Sequence, residues 1–194
     1  MKMKARYVAG WAAVLGGAAL ASPALAGPGD TPVATATFRS YDAKGCVATE
    51  VTVFAIGSPG GAAAKLDLVA SRVDECQGKD LLAAKTSTAL GPGAFSVSPD
   101  LSTATLVAAV KAPGRPGRAT VFNVDLTWTA TEPALEADTN VGPTDLGRWS
   151  HGPVHRVLRV AEAVGTVSDG VADLMPVAAA DATLSLTRGR AAGG

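Results

Sequence analysis

The stretch VFNVDLTWTAT, residues Val121–Thr131, decides the fold class of this chain. Apolar and polar residues alternate in it without a break from Phe122 onward. A period of two is typical of a β-strand that buries one face and exposes the other. Trp128 carries the largest side chain of the apolar row. We therefore predict a half-buried strand here, with Trp128 as an anchor of the hydrophobic core.

Similar short runs recur along the chain, separated by breaks rich in Gly, Pro and Asp. They predict further strands at Val33–Tyr41, Val47–Ala55, Lys65–Val73, Leu81–Leu90, Ala94–Ser98, Thr103–Lys111, Val154–Val167, with an interruption at Gly165, and Ala182–Thr187. No window combines a sustained apolar stripe of period 3.6 with helix caps. The pattern predicts an all-β protein, an antiparallel β-sandwich of about eight or nine short strands. A small β-barrel is the alternative.

Two pairs of these segments have the spacing of β-hairpins. The first two strands are separated by Asp42–Gly45, whose residues favour a turn. Thr103–Lys111 and the Trp128 strand flank a loop that contains APGRPG. By contrast, Pro133–Ser150 shows no clear period, and we interpret it as a long connection. Connections of this length are often functional, so the region Pro133–His155 is the predicted location of a binding site.

The first 26 residues have the three parts of a secretory signal peptide. Three basic residues precede an apolar run, and Ala24-Leu25-Ala26 provides a cleavage site. The run is shorter than the ~20 residues that a membrane span needs. We therefore predict a signal peptide at 1–26, a flexible leader at 27–32, a single β-sandwich domain at 33–187 and a flexible tail at 188–194. The predicted product is secreted, extracellular or periplasmic, and has no membrane span.

The charge balance of the predicted mature chain gives no reason to expect nucleic acid or anionic lipid as a partner. The whole chain has 17 basic and 17 acidic residues. Removal of Lys2, Lys4 and Arg6 leaves 14 basic against 17 acidic residues, a net charge of −3. Nucleic-acid binding relies on a surplus of clustered Lys and Arg. The predicted partner is instead an unknown extracellular protein or glycan.

Cys46 and Cys76 are the only cysteines. An even number of cysteines in an exported chain predicts a disulfide. A metal pair or reactive thiols are the competing interpretation. The 30-residue spacing, without a nearby histidine, is poor for zinc. The acidic residues around Cys76, which include Asp74, lack the pattern of a calcium loop, and we interpret them as solvated turn charges.

The only histidines, His151 and His155, are spaced i to i+4. On a helix this spacing could hold zinc, but Gly152-Pro153 between them disfavours a helix. On a strand the two rings would lie about 13 Å apart, too far for one metal. We therefore predict no metal and no cofactor. His151, His155 and Trp149 remain candidate binding residues in the long connection, because a loop aromatic can anchor a partner.

The strings VDLTWTAT at Val124–Thr131 and GTVSDG at Gly165–Gly170 resemble a set of small exported bacterial proteins of uncharacterised function. The resemblance spans about residues 33–187 and brings with it no activity, ligand or site residues.

Three functions are compatible with the sequence. The first is a secreted, non-catalytic structural or interaction module, which we favour because no catalytic motif is present. The second is a carbohydrate- or other ligand-binding module, although such sites use several aromatic platforms and seven aromatics remain after cleavage. The third is a hydrolase or metal enzyme that uses His151 and His155.

Overall fold

The computed structural model describes residues 32–59, 63–113, 119–140, 153–174 and 180–189. Within them the regular structure consists of ten β-strands. They are β1 (Val33–Lys44), β2 (Val47–Gly57), β3 (Ala64–Asp74), β4 (Lys79–Leu90), β5 (Phe95–Val97), β6 (Thr103–Pro113), β7 (Ala119–Ala130), β8 (Leu135–Asn140), β9 (Pro153–Ser168) and β10 (Ala180–Gly189). No helix in these ranges is long and apolar enough to cross a bilayer.

All ten strands belong to one antiparallel sheet. Its order is β4-β3-β2-β1-β10-β9-β7-β6-β5, and β8 pairs with β9 beside this path. Strands β1 to β4 are successive hairpins, as are β6 and β7. The last strand, β10, lies between β1 and β9. The all-β prediction and both predicted hairpins are therefore confirmed.

The sheet folds over on itself, because strands that are distant in its order touch each other. Trp128 on β7 donates a hydrogen bond from Nε1 to the carbonyl oxygen of Thr37 on β1 at 2.8 Å, across the interior. A Cβ placed on Gly57 at the end of β2 would lie 3.1 Å from the ring of Phe95 on β5. The fold is thus consistent with a sandwich or barrel-like arrangement, as the alternation predicts.

The inward faces of the strands share one core. Trp128, at 0% exposure, is its largest fully buried side chain, which confirms its predicted place in the interior. Alternation produces this core directly, since every second residue of a strand points to the same side. The other large and fully buried side chains are Phe38, Phe95, Phe122, Leu66, Leu68, Leu101, Leu106, Leu126, Leu174, Leu184 and Val51.

Strand β9 holds the two parts of the sheet together. Its first half pairs with β10 on one side and β8 on the other, whereas Ala161–Ser168 pairs with β7. Gly165 lies in this second half with φ 138°, a backbone angle that residues with a side chain rarely adopt. A Cβ at Gly165 would collide with the carbonyl oxygen of Asp125 on β7. Close approach of β7 and β9 therefore requires glycine here.

An ion pair links β3 to the turn after β9. Arg72 Nη2 lies 3.4 Å from Asp169 Oδ2, and their side chains are 21% and 6% exposed. Asp169 also accepts hydrogen bonds from the backbone N–H groups of Val171 and Ala172. Because Arg72 follows the inward residues of β3 in the alternation, the pair lies at one end of the core.

Three predicted boundaries differ from the structure. The irregular connection predicted at Pro133–Ser150 contains β8, so the described residues form ten strands rather than eight or nine. Strand β9 continues through Gly165 without an interruption. Strand β10 includes the first two residues of the predicted tail. The predicted signal peptide at 1–26 lies outside the described residues.

Candidate functional site

His155, one of the predicted binding residues, lies on the β8–β9 hairpin. Asp138 of β8 is directly opposite it in the ladder. Glu136, two residues earlier, lies on the same face of β8 because alternate residues of a strand share a face. The signal for β8 was present as an alternation in the run Leu135–Asn140, but it is short and lacks β-branched apolar residues.

Two carboxylates lie beside the His155 ring. Its Nδ1 lies 2.9 Å from Asp138 Oδ1, and its Nε2 lies 4.0 Å from Glu136 Oε2. The shorter contact, with Asp138, orients the ring. The side chains of His155, Glu136 and Asp138 are 36%, 67% and 70% exposed. Exposed pairs of this kind stabilise by about 0–1 kcal/mol, so their main effect is on ring orientation.

Glu136 and Asp138 lie on the face of β8 that adjoins the His155 ring. The contact with Asp138 can orient this ring toward a partner. Trp149 and His151, the other two predicted binding residues, lie outside the described residues.

Arg159 fixes the position at which β8 begins. Its Nε donates to the carbonyl oxygen of Glu132, in the connection that precedes β8, at 3.2 Å. Its Nη1 donates to the carbonyl oxygen of Asp100, in the β5–β6 turn, at 3.1 Å. One side chain therefore ties two connections to β9, and the hairpin that carries His155 starts from a defined point.

The β5–β6 turn is organised by the carboxylate of Asp100. It accepts hydrogen bonds from the backbone N–H and the hydroxyl of Ser102 at 3.0 and 2.8 Å. These bonds, with a further one from Ser98, lower the pKa of Asp100 to about 2. Leu101, with φ 56°, turns its buried side chain into the end of the core. These contacts order the turn whose Asp100 carbonyl oxygen accepts the hydrogen bond from Arg159.

The outward side of the same hairpin carries a small apolar cluster beside Arg156. Leu135 on β8 lies directly opposite Leu158 on β9, and Val160 is two residues further along the same face. Leu135 and Val160 are 63% and 39% exposed, whereas Leu158 is half-buried. We call these three residues the β8–β9 outer patch. It lies on the opposite side of the hairpin from the carboxylates around His155.

A second cluster lies at the tips of two neighbouring hairpins. Cys46, in the β1–β2 turn, and Cys76, in the β3–β4 turn, form the predicted disulfide, with a Cα–Cα distance of 5.3 Å. Asp74, at the end of β3, lies beside them. The two sulfurs and a carboxylate oxygen of Asp74 all lie within 4.8 Å of one another. Among the described residues, no other group brings three potential metal ligands together in this way.

The sequence did not single out Asp74 as a partner of the cysteines. Its proximity to Cys46 follows from the β2–β3 ladder, in which Val47 is opposite Asp74. The backbone N–H of Glu75 also donates to the carbonyl oxygen of Cys46 at 2.7 Å. A non-local strand pairing, not a local motif, therefore assembles the cluster.

No protein-family model, no curated protein and no solved structure matches this chain. The resemblance to small exported bacterial proteins stays a prediction.

Proposed function

We propose that this protein is a secreted, non-catalytic interaction module that binds an extracellular protein through the β8–β9 outer patch. Two observations support the proposed compartment. A disulfide is typical of chains that mature in oxidising surroundings, and the first 26 residues have the pattern of a secretory signal peptide.

The exposure of the β8–β9 outer patch is the observation that carries the proposal. Isolated exposed apolar residues are common on protein surfaces, but contiguous ones mark interaction sites. Leu135 and Leu158 are directly opposite each other in the ladder and Val160 adjoins them, so their side chains form one surface. Arg159 and the ladder to β9 hold this surface in place, which lowers the entropic cost of binding.

A protein partner is favoured over a glycan by the placement of the aromatic residues. Glycan sites stack sugars on exposed rings. Three of the four phenylalanines, and Trp128, are fully buried. Tyr41, at 49% exposure, is on the β1–β2 hairpin and not beside the outer patch. Carbohydrate binding remains the alternative, with Tyr41 as its available platform in the described residues.

The test compares two surface substitutions in binding to the extracytoplasmic proteins of the source cell. Leu135→Asp places a charge in the outer patch. Val171→Asp is the matched control, because Val171 is still more exposed, at 88%, and lies in the turn after β9. The free energy of unfolding of both variants should stay within about 0.5 kcal/mol of the parent value.

We expect cross-linking to a defined partner to be lost with Leu135→Asp and retained with Val171→Asp. If both variants cross-linked to the partner equally well, the outer patch would not be the binding surface. The alternative, carbohydrate binding, is tested on a glycan array with the parent and with Tyr41→Ala. Sugar binding that is lost with Tyr41→Ala would favour the carbohydrate-binding function.

A further inference from the structure

The disulfide cluster has the composition of a metal site once its sulfurs are separated. The two cysteines lie on neighbouring turns and Asp74 lies at the end of β3, and the surrounding ladders fix the backbones on either side. Thiolate and carboxylate are ligands that Zn²⁺ accepts in proteins, usually in tetrahedral geometry with water in an open position.

We propose that reduction of the Cys46–Cys76 disulfide creates a site for Zn²⁺ or a similar thiophilic divalent cation, with Asp74 as the third ligand. The metal site and the disulfide are two exclusive states of the same residues. This inference is independent of the proposed interaction function, since the cluster lies on different hairpins from the outer patch.

Reduction of the disulfide and metal binding are two separate steps. A dithiol reductant transfers two electrons to the S–S bond and is itself oxidised to a disulfide, while Cys46 and Cys76 each gain a proton. Metal binding then displaces these two protons, and each thiolate sulfur donates an electron pair to the cation.

The geometry fits a tetrahedral ion. With metal–sulfur distances of about 2.3 Å and metal–oxygen distances of about 2.0–2.2 Å, ligand atoms lie about 3.5–3.8 Å apart. The three candidate atoms are already within 4.8 Å, and the sulfurs need only rotate apart after the bond is broken. Asp74 Oδ1 accepts the backbone N–H of Gln77 at 2.9 Å, which orients the carboxylate as a supporting contact would.

The strands around the cluster can hold it without the covalent bond. The β1–β2 ladder is paired up to Lys44 and Val47, and the β3–β4 ladder up to Asp74 and Lys79. On the chain-entropy model, loss of a crosslink across 30 residues costs less than the whole stability of a typical domain. We therefore expect the reduced chain to stay folded.

The experiment uses the full chain, reduced with a phosphine, freed of reductant without oxygen and titrated with Co²⁺ and then Zn²⁺. We expect the absorption of thiolate-bound tetrahedral Co²⁺ at one equivalent, its loss on addition of Zn²⁺, and release of about two protons per Zn²⁺ at pH 7. The oxidised chain should give none of these signals. Far-UV circular dichroism of the reduced chain should keep its β-sheet signal.

Substitutions assign the ligands. We expect Cys76→Ser to abolish the cobalt signal and Asp74→Asn to weaken Zn²⁺ binding at least tenfold. Glu75→Gln is the matched control, because it removes the adjacent charge and should leave affinity unchanged. The proposal is overturned if the reduced chain unfolds or binds no Co²⁺. It is equally overturned if Asp74→Asn binds as tightly as the parent, or if Glu75→Gln weakens binding as much as Asp74→Asn.

Discussion

Replacement of Trp128 by alanine tests whether one aromatic side chain anchors this core. Trp128 is fully buried, and burial of a tryptophan removes about 150–250 Å² from water. Truncation of a buried aromatic to alanine costs about 3–5 kcal/mol, because the cavity closes only in part. About 1 kcal/mol of this belongs to the hydrogen bond from Nε1 to Thr37. The remainder is lost packing in the shared core.

The assay is urea unfolding of the oxidised chain, followed by far-UV circular dichroism because the substitution removes a fluorophore. Linear extrapolation gives the free energy of unfolding, and an unchanged slope shows that the exposed surface is comparable. Trp128→Phe is the matched control. It keeps an aromatic ring but loses the N–H donor, and we expect it to cost about 1–2 kcal/mol.

Two results would refute this account of Trp128. A loss below about 1 kcal/mol for Trp128→Ala would mean that the core does not depend on this side chain. A variant that stayed fully folded but lost a binding partner would show that Trp128 contributes to recognition rather than to packing.

Two other perturbations test separate parts of the fold. Gly165→Ala should destabilise the protein by at least about 2 kcal/mol more than Gly170→Ala in the same unfolding assay. A Cβ at Gly165 meets Asp125, whereas at Gly170, which also has a positive φ, it meets nothing within 4 Å. Equal losses would disprove the close approach of β7 and β9. Asp100 predicts a pH effect, since its pKa is about 2 in the fold against an ordinary 3.8. The folded chain therefore binds fewer protons than the unfolded chain between these values, so this stabilisation is present above about pH 4 and is lost as the pH falls toward 2. Thermal melts between pH 2 and 5 should show this dependence in the parent and a weaker one in Asp100→Asn, and parallel curves would count against the role of the carboxylate.

The local alternation of apolar and polar residues was sufficient to predict much of the fold. The alternation around Trp128 predicts both its strand and its burial, because a strand places every second residue on one face whatever lies beside it. Turn residues between Val33 and Ala55 similarly predict the first hairpin. Strand β8 escaped prediction because four of its six residues are polar, and its pairing with β9 supplies the order that its own propensity does not.

The sites depended on contacts that the sequence does not encode locally. His155 was recognised as a candidate, but its partners Glu136 and Asp138 are set by the β8–β9 register. The pairing of β2 with β3 places Asp74 beside Cys46. A pattern of residue types identifies which side chains have useful chemistry, whereas only the strand order determines which of them meet.

The position of β10 between β1 and β9 has a consequence for how this chain is made. Strands β1 to β4 need only their sequence neighbours and can pair as soon as they emerge. The other edge of β1 must wait for β10, near the opposite end of the chain, as in Ala34 opposite Leu186. Until then β1 presents an unpaired row of N–H and C=O groups to any other strand. The unpaired edge of β1 is exposed until β10 pairs with it, and conditions that shorten this interval should raise the yield of native protein.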